Sequence, residues 1–89
     1  MDSIEGRSIL ITGGGSGIGL DSARYFAERG AKVTICGRRE EKISAAQNLI
    51  GAACLGVVAD ITESKDRVEL IEAALEHGGG LDTLVSNAG

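Results

Sequence analysis

A chain of 89 residues makes one small domain, and its net charge of −4 excludes a general nucleic-acid binder, which would present a basic face. Aromatic residues make up 2% and proline is absent, so the core must be built from Ile, Leu, Val and Ala. Met1-Asp2-Ser3-Ile4-Glu5 is too acidic and short for a signal or transit peptide, and no apolar run approaches a membrane span, so a cytoplasmic protein without a membrane partner is expected.

In chain order, Ser8–Thr12 reads as a first strand around the β-branched run Ser8-Ile9-Leu10-Ile11. Gly17–Arg29 reads as a first helix with Leu20, Ala23, Phe26 and Ala27 on one stripe, Asp21 in its first turn and Gly30 as its stop. Lys32–Cys36 is the second strand. Arg39–Ile50 is the second helix, with Ile43, Ala46 and Ile50 inward and Gly51 ending it. Cys54–Ala59 is the third strand. Glu63–His77 is the third helix, with Val68, Ile71 and Leu75 as its stripe and Thr62 or Ser64 as its N-cap. Gly78-Gly79-Gly80 breaks that helix, and Thr83–Ser86 is the fourth strand.

Strict alternation of strand and helix implies right-handed crossovers and a parallel sheet. The expected fold is α/β: a Rossmann-type β-α-β-α-β-α-β half of a doubly wound domain, with strand order 3-2-1-4. Residues 1–89 then form one incomplete dinucleotide-binding half-domain. Helices one and two share one face and helix three takes the other. One helix does not cover four strands, so part of that face is expected to be bare and the fourth strand to be an edge. Cys36 and Cys54 fall at opposite ends of neighbouring strands, roughly 12 Å apart at ~3.3 Å per residue, and are expected as buried free thiols.

The glycine-rich loop Thr12-Gly13-Gly14-Gly15-Ser16-Gly17-Ile18-Gly19 lies between the first strand and the first helix. Such a turn delivers a phosphate to a helix N-terminus. The P-loop pattern Gly-x-x-x-x-Gly-Lys fails because Leu20 follows Gly19. The Gly-x-Gly-x-x-Gly fingerprint fails because Ile18 and Leu20 stand where its third glycine belongs. Thr12, Gly13, Gly17 and Gly19 match Thr-Gly-x-x-x-Gly-x-Gly. Here Gly13 turns the chain, Gly17 admits a pyrophosphate close to the backbone, and Gly19 lets the helix approach the sheet.

That loop, Gly30-Ala31-Lys32-Val33, Asp60-Ile61 and Leu81–Gly89 ending in Asn87-Ala88-Gly89 together resemble the short-chain dehydrogenase/reductase family along the whole chain. Ser86 and Asp21 depart from its usual residues. The resemblance implies a nicotinamide dinucleotide held by Thr12, Gly13, Gly15, Ser16, Gly17, Ile18, Gly19, Asp60, Ile61, Asn87, Ala88 and Gly89. On that reading Asp60 accepts from adenine; the alternative is an ordinary turn or cap residue. Gly37 stands where a carboxylate would receive the ribose 2′-hydroxyl of NAD, and Arg38 and Arg39 follow it. Two cations at a helix N-terminus oppose its dipole unless an anion lies between them, and the 2′-phosphate of NADP fits that need. NADP is expected ahead of NAD. The competing reading is a pair of solvated charges offset by Glu40 and Glu41.

The resemblance also implies hydride transfer between nicotinamide and a carbonyl or alcohol, with a Tyr-x-x-x-Lys acid, a Ser and an Asn beyond the fourth strand. These 89 residues hold none of these, so no catalytic residue is assigned and a small-molecule substrate is expected only with the missing half. Tyr25 and His77 are read as structural. Cys36, Cys54 and His77 lack the spacing of a metal site. A non-catalytic nucleotide-binding or partner-pairing module is the other reading, as is a structural remnant without a ligand.

Overall fold

The computed structural model describes residues 3–87. Its elements are β1 (Ser8–Thr12), α1 (Gly17–Glu28), β2 (Lys32–Gly37), α2 (Glu40–Ile50), β3 (Cys54–Val58), α3 (Ser64–Gly78) and β4 (Thr83–Ser86). The strands are parallel in the order β3-β2-β1-β4, as the alternation predicts.

All of β1 is buried because it lies inside the sheet, with Ile9 facing Val33 on one side and Thr83 on the other. Its side chains alternate between two cores. Ile9 and Ile11 join Val33, Ile35, Ala23, Ile43 and Ala46 beneath α1 and α2. Leu10 joins Cys36, Ala59, Leu70 and Ala74 beneath α3. Leu10, Ile11, Val33 and Ile35 are fully buried, each stabilising the fold by about 2 kcal/mol. Cys36 and Cys54 are free and buried in opposite cores, so no disulfide joins them. On the α3 face Leu84 of the β4 edge is 59% exposed, in keeping with the expected bare strip.

The third helix departs from its expected stripe. Leu70 and Ala74 face the sheet, while Val68, Ile71 and Leu75 are exposed. Both sets have helical spacing, so tethers at the ends of α3 decide its rotation. Asp66 Oδ2 accepts from the Asp60 N–H at 2.8 Å, and His77 Nε2 donates to the Ala53 carbonyl at 3.0 Å. Gly78 lies on Ser8, whose hydroxyl would collide with a β-carbon there.

Several boundaries also shift. Arg29 is the C-cap of α1, with its N–H on the Phe26 carbonyl and the Gly30 N–H on the Ala27 carbonyl, and Arg39 is the N-cap of α2. β2 runs on to Gly37 through its pairing with Val58, and Ala59 leaves β3. Glu63, in place of Thr62 or Ser64, occupies the N-cap of α3, because the Thr62 hydroxyl is directed to Asp60. Asp21 lies beyond the first turn of α1, which contains no acidic residue. Among the described residues no helix is long and apolar enough to cross a membrane.

Candidate functional site

The loops after β1, β2 and β3 gather at the carboxyl end of the sheet, the location at which open α/β sheets bind ligands. They border a cleft of about 510 Å³ whose walls include Thr12, Gly13, Gly37, Arg38 and Asp60. A second cleft of about 320 Å³ shares Gly13, Gly37 and Arg38 and continues past Gly15, Ser16, Arg39 and Lys42. Arg38 therefore stands between the two.

Each glycine of the loop answers a different constraint. Gly13 takes a φ of 71°, a left-handed turn off the strand. The N–H groups of Gly13 and Gly14 both donate to the Cys36 carbonyl, at 2.9 and 3.2 Å, pinning the loop to β2. A β-carbon on Gly14 would lie 2.5 Å from Ile35 Cγ2, so this position is as restricted as those of the motif. On Gly15 it would lie 3.3 Å from Ile43 Cδ1 and 3.4 Å from Lys42 Cβ, so the loop touches α2. Gly17 has a φ of 59° with open space around it. Gly19 packs on the backbone of the loop itself, against Gly13 O, rather than on the sheet as its motif role suggests.

The N-terminus of α1 is open to a ligand. Ser16 is the N-cap in extended geometry and its side chain makes no capping bond. The first bond of the ladder runs from Leu20 N–H to Ser16 O at 3.4 Å, leaving the N–H groups of Gly17, Ile18 and Gly19 ahead of it. Ile18 is 76% exposed in this turn.

Asp60 serves the turn and walls the cleft. Its Oδ1 accepts from the Thr62 N–H at 3.0 Å and from the Thr62 hydroxyl at 2.7 Å. These two bonds hold the carboxyl below its usual value; desolvation opposes them and the Arg38 charge adds to them. Arg67 Nη1 donates to the Ile61 carbonyl at 2.8 Å, and Ile61 packs into the core under α3. Asn87 joins β4 to β1: its N–H meets Thr12 Oγ1 at 3.1 Å and Thr12 O at 3.2 Å. Ala88 and Gly89 lie outside the described residues.

The structure thus brings Thr12, Gly13, Arg38, Asp60 and Ile61 to one cleft, and Gly15, Ser16 and Arg39 to its extension. Lys42 and Thr62, which line the clefts, were not legible as site residues, nor was the packing restriction at Gly14. Lys42 sits in a run of mixed charges, and only the contact of α2 with Gly15 carries it to the cleft. Tyr25 is remote, half-exposed, with the Arg29 guanidinium 3.6 Å from its ring centre. Among the described residues no cluster of His, Cys, Asp or Glu suits a metal ion.

The parallel sheet, its strand order and the glycine loop entering α1 define a Rossmann-type nucleotide-binding fold. A model of the short chain dehydrogenase family matches residues 7–89, and the chain belongs to that family of oxidoreductases. The oxidoreductase asL5 of Sarocladium schorii is 42% identical over 89 residues, covering 100% of this chain and 36% of the relative. The peroxisomal 2,4-dienoyl-CoA reductase of Arabidopsis thaliana is 38% identical over 91 residues, covering 98% of this chain and 30% of the relative. In structure, the 3-ketoacyl-(acyl-carrier-protein) reductase of Brucella melitensis complexed with NADH has a TM-score of 0.88 and 44% identity, covering 92% of this chain and 34% of that one. The chain spans about a third of the length of the curated relatives it matches.

Proposed function

We propose that residues 1–89 are the NADP(H)-binding portion of a short-chain oxidoreductase acting on a carbonyl or alcohol. The observation that carries this reading is Arg38, which stands between both clefts beside a side-chain-free Gly37. The open N–H groups of Gly17, Ile18 and Gly19 suit the pyrophosphate. Asp60, with Oδ1 committed to Thr62, has its second oxygen for the adenine amino group. Thr12, Gly13, Gly15, Ser16 and Ile61 shape the remaining wall, and Asn87 lines neither cleft but ties β4 to Thr12. When bound, the nicotinamide supplies or accepts the hydride. The NADH complex of the Brucella melitensis reductase supports a nicotinamide dinucleotide here. The preference for NADP rests on the residues of this chain.

These residues contain no Tyr-x-x-x-Lys, so they bind without converting. A second reading, a non-catalytic pairing module, is favoured by the exposed Leu84 on the β4 edge and by the exposed Val68, Ile71 and Leu75. Fluorescence titration with NADPH and NADH tests the proposal. Tighter binding of NADPH, reversed by Arg38→Asp, is expected. Equal affinities, or tighter NADH, refute the preference; no binding of either refutes the cofactor role.

A further inference from the structure

We propose that Lys42 is a third cation of the 2′-phosphate subsite, and that it helps discriminate phosphorylated from unphosphorylated adenosine ribose. The proposal rests on reading the cleft as an NADP site. Neither the glycine motif nor the Arg38-Arg39 pair points to Lys42; its place in the fold does.

The cleft beside Gly15 and Ser16 is lined by Arg38, Arg39 and Lys42 and by no carboxylate. A third of the nine Lys and Arg residues thus converge on one cleft in a chain of net charge −4. All three side chains are exposed and lie in the approach to α2 or in its first turn. Cations there oppose the positive end of the helix. Glu40 and Glu41 in the same turn offset part of this, but neither lines the cleft.

The backbone of Lys42 is held in place. A β-carbon on Gly15 would lie 3.4 Å from Lys42 Cβ and 3.7 Å from its carbonyl carbon. The next residue, Ile43, is buried under the loop and under β2, which stops α2 from drifting away. The ammonium stem therefore starts against the same loop that carries the Ser16 hydroxyl. A phosphate monoester carries a charge of about −1.5 to −2 and three acceptor oxygens, a match for two guanidinium groups and an ammonium. The phosphate on the 5′ side of the ribose is served instead by the N–H groups at the start of α1.

Equilibrium binding of 2′,5′-ADP, 5′-AMP and inorganic phosphate to the full 89-residue chain tests this, with helix content monitored by circular dichroism. The wild type should bind 2′,5′-ADP more tightly than 5′-AMP, and both more tightly than phosphate. Lys42→Met should weaken 2′,5′-ADP about fivefold, the scale of one exposed ion pair, and leave 5′-AMP unchanged. Lys42→Arg should retain the wild-type difference, and Lys42→Gln should repeat the loss if the Met variant is less helical. An unchanged 2′,5′-ADP affinity in both neutral variants, or an equal loss for both nucleotides, overturns the role of Lys42. If Arg38→Ser abolishes discrimination while both neutral Lys42 variants keep it, the NADP reading stands and Lys42 alone is excluded. If the wild type does not distinguish the nucleotides, or binds phosphate as tightly as 2′,5′-ADP, the NADP reading falls and this inference with it.

Discussion

The δ-methyl of Ile43 stands 3.1 Å from the point a β-carbon on Gly37 would occupy. Gly37 ends β2, at the position from which dinucleotide folds extend a carboxylate to an unphosphorylated ribose. Ile43 cannot readily withdraw, because the same side chain fills the space above Gly15 and, through Cγ2, above Gly56 at 2.6 Å. One buried residue of α2 thus occupies room left by three glycines. It keeps the end of β2 free of a side chain.

Gly37→Asp should therefore cost about 1–2 kcal/mol of stability through overpacking. Trimming the wedge in Gly37→Asp/Ile43→Val should return part of that loss, although Ile43→Val alone costs about 1 kcal/mol. Urea unfolding of the four proteins in this cycle measures the coupling. Strict additivity of the two substitutions would show that Ile43 does not crowd position 37.

Gly19 and Gly17 should respond differently to alanine. A methyl on Gly19 meets a backbone oxygen, which cannot rotate away. Gly19→Ala should lose about 3 kcal/mol or displace the loop. Gly17→Ala meets nothing and strains only a left-handed φ of 59°, so about 1 kcal/mol is expected. Equal unfolding midpoints for the two variants would contradict this packing.

The thiols should be inert in the folded chain. Burial raises Cys54 to about 11 from an ordinary value of 9.0, and desolvation raises Cys36 despite a bond from Gly13. At pH 8 a thiol reagent should label neither until denaturant is added. Because the folded value of Cys54 lies above the unfolded one, the folded state keeps its proton longer. Its contribution is complete below pH 9 and is lost as pH rises towards 11. Cys54→Ala should flatten that alkaline decline in urea midpoint. An unchanged decline would assign it to other groups.

Element order, strand order and the core of the glycine loop are all legible in the sequence. β1 is a short β-branched run, α1 and α2 carry one dominant apolar stripe each, and Gly30 and Gly51 stop them with positive φ. These signals are local: they depend on spacings of two to four residues along the chain. Asp60 marks the limit of such reasoning. Spacing left it as either a cofactor contact or a turn residue, and the structure shows its Oδ1 held by Thr62 while the same residue walls the cleft.

What local pattern left open was settled by contacts between distant segments. Helix α3 carries two apolar stripes of equal periodicity, and the tethers through Asp66, His77 and Gly78 choose Leu70 and Ala74 for the core. Gly14 looks like a free position of the motif until Ile35 is seen against it. Lys42 looks like one more solvated charge until α2 is packed on Gly15. A one-dimensional pattern encodes which residues can face inward. Close packing of the assembled layers decides which ones do, because only one arrangement satisfies all the contacts together.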